Sequence, residues 1–274
     1  MSFRKIVPNF LKKLILKEID KSYLFSGWNL KTNTCPPWKY VNKNLNNSPQ
    51  TINFNEIQNI FEELIKQEKF ISNQFYENMF SKSRELMWRH FNLCLSLKYV
   101  LQKKKQNLNL CEFGVADGIT SWFALKFLEK EDITFDNFWL FDSWDEIKNK
   151  NLDETEKHKI GKFKSNDIEL TKKNLNCFKN LKYIKGFIPE VFNIKQNYPD
   201  KCDWMHIDLN SSFATIETLN FFKEKLTPDS LIIFDDFGWP SYETTRIKIE
   251  KWCDENNGIL WPLPTGQAIY ILNK

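Results

Sequence analysis

The stretch Leu108-Asn109-Leu110-Cys111-Glu112-Phe113-Gly114-Val115-Ala116-Asp117-Gly118 constrains this chain more than any other. An apolar run ends in an acid, then turns through two glycines four residues apart. Beyond them the apolar period becomes helical, with Phe123 and Phe127 four apart and Ala124 and Leu128 likewise. Strand, glycine turn and helix form the first unit of a nucleotide-binding α/β sheet. Glycine admits φ > 0 and lets a ligand approach bare backbone. The helix start adds unpaired N–H groups.

The loop also narrows the ligand. A phosphate cradle reads G-x-x-x-x-G-K-[ST] and a dinucleotide loop G-x-G-x-x-G. Here the spacing is G-x-x-x-G, preceded by Glu112 and enclosing Asp117. Two carboxylates suit an amine and sugar hydroxyls and repel a pyrophosphate. S-adenosylmethionine has the amine and the hydroxyls and no phosphate, so it is the expected cofactor in place of NAD.

From that unit onward the pattern alternates. Asn137–Asp142 reads as a second buried strand ending in an acid, where such folds hold ribose hydroxyls. Residues 145–164 are charged and contain Gly161, which predicts a mobile excursion or lid. A helix should restart at Ser165 or Asn166, with Glu169 in capping-box register to Asn166. Leu181–Gly186 is the third strand, with its closing glycine and Phe187 placed to receive an adenine. Asp203–Asp208 is the fourth. A helix with Ile216, Leu219, Phe222 and Leu226 on one side follows. Thr227–Ser230 should turn into a fifth strand, Leu231–Asp236, which ends in two adjacent carboxylates. A helix over Glu243–Asn256, stopped by Gly258, and a hairpin of Ile259–Trp261 with Ala268–Leu272 complete the alternation.

Upstream, residues 1–105 read as a helical extension and lid, and 106–274 as the cofactor domain. Ile57, Ile60, Phe61 and Leu64 make a helical stripe, and a longer helix is expected from about Ser83 to Leu101. Its Arg84, Arg89 and His90 read as solvated or paired surface groups. Arg84 stands out as a cation able to take the cofactor carboxylate. Residues 9–19 read as a basic amphipathic helix covering their own domain, with a membrane-surface role as the rarer alternative. Cys35-Pro36-Pro37-Trp38 reads as a stiff linker.

The 274 residues include 24 Phe and 10 Trp, enough for a sizeable core. The balance of 39 basic and 35 acidic residues is too even to imply a polyanion partner. The six cysteines form no C-x-x-C pair, and several fall in strand-like runs, so reduced core thiols in a cytoplasmic protein are expected. No secretory segment and no apolar run near the ~20 residues of a spanning helix is seen.

In a parallel sheet, ligands bind at the carboxyl ends of the strands. Successive strands here end in Glu112, Asp142, Gly186, Asp208 and the Asp235/Asp236 pair. The first three should line a nucleoside pocket. Asp208, Asp235 and Asp236 should converge beside it, where three like charges call for a cation. An all-oxygen set suits Mg²⁺. The competing reading makes Asp235 a helix cap and leaves Asp236 in water.

Five motifs together resemble the macrocin O-methyltransferase (TylF/MycF-like) family of class I S-adenosylmethionine-dependent methyltransferases. They are Glu112-Phe113-Gly114-Val115, Phe141-Asp142-Ser143-Trp144, His206-Ile207-Asp208, Phe234-Asp235-Asp236-Phe237-Gly238 and Pro264-Thr265-Gly266-Gln267. The resemblance spans roughly residues 84–272. It implies a Rossmann-like sheet of seven strands, the last antiparallel, with an N-terminal helical lid, and Mg²⁺ on Asp208, Asp235 and Asp236. It places Glu112, Gly114, Gly118, Asp142, Ser143 and Trp144 around S-adenosylmethionine, and Arg84, Phe113, Val115, Ser121, Gly186 and Phe187 are expected to complete that site. The implied acceptor is a small molecule, sugar-like or a nucleotide-sugar, with no nucleic acid and no stable membrane insertion; a homodimer stays open.

Two departures stand out. Pro228-Asp229-Ser230 replaces the family's Pro-Gly-Gly, and Asn210 occupies the position of an acid proposed as general base. An amide takes no proton, so the base is open among Asp208, His206 and a metal-bound water. Asn210 also keeps alive the alternative of a cofactor-binding protein that has lost catalysis. A nucleic-acid methyltransferase would need a basic, aromatic-interleaved surface, for which the dispersed lysines give no support.

Overall fold

The computed structural model describes residues 59–60, 63, 87–104, 106–239 and 241–272. The expectations for residues 9–19, for Cys35–Trp38, for Phe61 and Leu64, and for Arg84 lie outside the described residues, as does most of the 1–105 extension.

The first long helix, α1 (Met87–Lys103), leads into β1 (Asn109–Phe113), α2 (Ile119–Lys130) and β2 (Asn137–Asp142). Next come α3 (Ile168–Asn174), β3 (Leu181–Lys185), β4 (Cys202–Ile207), α4 (Ser212–Phe222), β5 (Leu226–Phe234), α5 (Glu243–Glu255), β6 (Gly258–Pro262) and β7 (Ala268–Leu272). The seven strands form one sheet in the order β3-β2-β1-β4-β5-β7-β6. β1 to β5 pair in parallel and β7 runs antiparallel to β5 and β6. The order reverses between β1 and β4, which makes a crevice at their carboxyl ends.

Both faces of the sheet are covered, as parallel strands require. Leu110, Trp204 and Ile233 point into one apolar cluster with Leu93, Leu97, Trp122 and Phe123 from α1 and α2. Their neighbours Cys111, Met205 and Ile232 point into the other, with Leu219, Phe222, Ile249 and Trp252 from α4 and α5. The two-residue period thus assigns every strand side chain to a face. The buried Cys94, Cys111, Cys202 and Cys253 and the exposed Cys177 are all free thiols. No described helix is long and apolar enough to cross a membrane.

Four local expectations change. α3 starts at Ile168 with Asp167 as its cap, accepting from the Glu169 amide, so Asn166 is not the capping residue. The capping box belongs instead to a short 3₁₀ turn, Glu154–Lys159, where Asp153 and Glu156 reciprocate. β5 begins at Leu226, and residues 227–230 form a bulge between the pairs Cys202–Leu226 and Trp204–Leu231. Asp229 there takes φ 63°, the conformation a glycine would adopt without strain. Gly258 does not stop α5. Asn256 caps that helix and Asn257 supplies the left-handed residue at φ 53°. Gly258 opens β6, where a Cβ would come within 2.1 Å of the Tyr270 ring.

Candidate active site

The strand ends are levelled by hydrogen bonds that continue the ladder one residue past each strand. Gly114 N–H donates to the Phe141 carbonyl (2.8 Å), Asp208 N–H to Phe113 (2.8 Å), Asp235 N–H to Ile207 (3.0 Å) and Gly186 N–H to Asp142 (3.0 Å). This row forms the floor of a cavity of about 970 Å³. Gly114 is required there. At φ 89°, a Cβ would lie 1.9 Å from the Asp208 carbonyl oxygen, so β1 and β4 approach too closely for any side chain.

On one side of the crevice Asp142 closes the glycine loop. Its Oδ2 accepts from the Val115 and Ala116 amides, both at 2.8 Å, and its Oδ1 from the Trp144 amide at 2.7 Å. Burial raises its carboxyl above the usual range, and these amide bonds oppose that rise. Trp144 turns away from the cavity and donates its indole N–H to the Ala116 carbonyl and to Thr171 Oγ1, both at 2.9 Å. Gly114, Val115, Asp142, Ser143, Gly186 and Phe187 line the cavity.

Glu112, Phe113, Gly118, Ser121 and Trp144 do not line it. The pleat explains Glu112. It lies beside His206 in the β1–β4 register, on the face that α2 covers, and is fully buried. Its Oε2 accepts from Ser121 Oγ at 2.5 Å, so the two expected cofactor residues are joined by an internal bond. Phe113 faces the opposite core and stacks on Phe141. Gly118 abuts Leu175 and Thr171.

On the other side Asp208, Asp235 and Asp236 converge, each offering an oxygen within 4.8 Å of the others. Burial and the neighbouring Asp236 push the Asp208 carboxyl well up. His206 is buried beneath, its Nδ1 3.4 Å from Glu112 Oε1 and its Nε2 3.7 Å from Asp235 Oδ1. The donor set is all oxygen and its three carboxylates share one small space, so the residues fit Mg²⁺ in donor chemistry.

Sequence reasoning missed most of what holds these acids. Arg89 and His90 are not surface groups. Arg89 donates from Nε to Asp235 Oδ1 at 3.1 Å, with Nη2 also on Asp235 and 3.8 Å from Asp236. His90 stacks on Phe123 at 3.9 Å, and burial lowers its pKa to about 3, which keeps it neutral. Gln267 donates to Asp235 Oδ1 at 2.8 Å and is itself held by Asn92 Nδ2 at 3.0 Å. A cation four residues from a stripe leucine carries no sign of its partner, so nothing in the sequence separated Arg89 from a solvated arginine.

The 145–164 excursion has two parts. Asp145, Ile147, Lys148, Lys150 and Leu152 border the cavity. The 3₁₀ turn is anchored through Glu156, which accepts from the Ser212 amide (2.7 Å) and from Thr245 Oγ1 (3.1 Å). Lys159, only 2 % exposed, donates to the Asn210 carbonyl at 3.1 Å and lies 3.5 Å from the Tyr242 ring centroid. Asn210 sits at φ 55°, a conformation asparagine tolerates, and its Oδ1 accepts from the Tyr242 hydroxyl.

No known protein family's profile matches the sequence, and no curated protein resembles it. Solved structures do. The O-methyltransferase NovP superposes with a TM-score of 0.62 at 12% identity, over 81% of this chain and 98% of that one. CalS11, a calicheamicin methyltransferase, superposes with a TM-score of 0.55 at 14% identity, over 84% and 95%. The chain therefore has the Rossmann-like methyltransferase fold, the seven-stranded sheet expected from its sequence.

Proposed function

We propose that this chain is an S-adenosylmethionine-dependent O-methyltransferase whose acceptor is a small molecule with neighbouring oxygens, sugar-like in shape, bound against Mg²⁺. The observation that carries this reading is the juxtaposition at one crevice of the Asp142-closed glycine loop and the three-carboxylate cluster. The likeness to O-methyltransferase NovP supports it, and the five macrocin-family motifs carry the finer assignment.

Gly114, Val115, Asp142, Ser143, Gly186 and Phe187 would bind the nucleoside part of the cofactor. Trp239, Tyr242 and Phe213, which line the cavity and follow the acid-bearing strands in sequence, offer apolar faces to a sugar ring. Asp208, Asp235 and Asp236 would hold Mg²⁺, which would supply the Lewis acidity that lowers the pKa of an acceptor hydroxyl. Asn210 takes no proton; its Oδ1 accepts from the Tyr242 hydroxyl and its Nδ2 donates to Asp208 Oδ1 at 3.5 Å. Asp208, raised above the usual carboxylate range by burial and by Asp236, borders the cavity where the acceptor hydroxyl would lie. His206 faces Glu112 and Asp235 on its two ring nitrogens, at 3.4 and 3.7 Å, beneath the acidic cluster.

The test is methyl transfer from labelled S-adenosylmethionine to a panel of nucleotide-sugars, glycosides and host-cell extract. Product formation should stop in excess EDTA and return with Mg²⁺, while cofactor binding by calorimetry persists in both states. Undiminished transfer in EDTA, or binding of NAD in place of S-adenosylmethionine, would refute the reading.

A further inference from the structure

The acidic cluster already contains a cation. Asp235 is gripped on both oxygens, Oδ1 by Arg89 Nε at 3.1 Å and Oδ2 by Arg89 Nη2. The same Nη2 reaches 3.8 Å from Asp236 Oδ1, so the guanidinium lies over two of the three proposed metal ligands. A planar guanidinium paired with a carboxylate in this fork uses the lone pairs that a metal would need. Its charge also opposes a second cation a few ångströms away.

We propose that Arg89 is a tethered counterion that competes with the divalent ion for Asp235 and Asp236, so that metal binding requires the guanidinium to leave. This rests on the metal reading above. Two features make the exchange feasible. Asp235 keeps an orienting donor without Arg89, because Gln267 Nε2 holds Oδ1 at 2.8 Å and is anchored in turn by Asn92. Arg89 also keeps a contact when it gives up Asp235, since its guanidinium carbon already lies 5.7 Å from the Trp239 ring centroid on the cavity wall. The side chain is 18 % exposed, so it is not locked in the core.

The arrangement differs from that of a supporting residue. A donor that only orients a ligand leaves one carboxylate oxygen open towards the metal, as Gln267 does. Arg89 covers both. Removing its charge should therefore tighten metal binding, whereas removing an orienting donor should weaken it.

The experiment is titration of the full chain with Mn²⁺ alone, following free Mn²⁺ by electron paramagnetic resonance, without cofactor or acceptor. Arg89→Met should bind Mn²⁺ at least tenfold tighter than the unaltered chain, and Arg89→Lys, which cannot form the fork, should fall between them. Gln267→Leu should bind it more weakly. If the unaltered chain binds Mn²⁺ and Arg89→Met binds it equally or less well, the competition is refuted while the metal site stands. If neither binds, both readings fall. Should Arg89→Met fold poorly, the Arg89 Nε–H resonance of the unaltered chain decides. It should shift on addition of Mg²⁺, and a resonance unmoved at saturation would overturn the proposal.

Discussion

At the ends of β1 and β2, Asp142 is satisfied by three backbone amides from within a few residues of the glycine loop and its own turn. At the ends of β4 and β5, Asp235 is held by Arg89 from α1 and by Gln267 from β7's lead-in, Asn210 reaches Asp208, and Lys159 from the 145–164 excursion holds the Asn210 carbonyl. The first half is built of fixed dipoles that cannot leave. The second is built of Arg89, Gln267, Asn210 and Lys159, each on a rotatable stem. The first arrangement suits the proposed nucleoside pocket, which would exist before its ligand arrives. The second suits the proposed metal site, whose charge would change on taking up the ion.

The sharpest way to break this contrast is at the seam between the halves. Gly114→Ala should destabilise the chain by more than about 4 kcal/mol or prevent folding, because the new Cβ meets backbone rather than a side chain. Gly118→Ala meets the Leu175 side chain at 3.1 Å, which can yield, and should cost roughly 1–3 kcal/mol from its φ of 89°. Equal denaturant midpoints for the two variants would show that the seam is softer than its geometry.

Next in size is the acid limb of stability, which tests the helix that carries Arg89. His90 titrates at about 3 when folded and near 6.5 when unfolded. Between those values the unfolded chain binds the extra proton, so stability rises with pH through that window and is lost as pH falls. The loss should be on the order of 3 kcal/mol at pH 4. His90→Phe, which can keep the stack on Phe123, should flatten this slope between about pH 6.5 and 4. An unchanged slope in chemical unfolding would place the acid sensitivity elsewhere.

The smallest effect should come from the backbone-held half. Asp142→Ala removes the cavity-wall carboxylate that accepts from three backbone amides, and should weaken S-adenosylmethionine by roughly 1–3 kcal/mol in calorimetry. Mn²⁺ binding should be untouched. A joint loss of cofactor and metal would show that the two halves are one network.

What the sequence determined by itself is the part written in short-range rules. Alternating apolar residues, a change to helical period and glycines at fixed offsets act within a turn or a strand, so the succession of strands and helices and the row of strand-end acids were legible. So was Asp142, whose partners are near neighbours. The single seven-stranded sheet followed from the family resemblance, and its strand order from the structure alone. Tertiary structure decided what depends on which faces meet. Glu112 and Asp142 both read as strand-end acids, yet α2 closes over one and not the other. Arg89 and Asp235 are 146 residues apart, and Glu156 and Thr245 are 89 apart. A pairing across such a distance is set by helix packing on the sheet, and neither partner's local pattern records it.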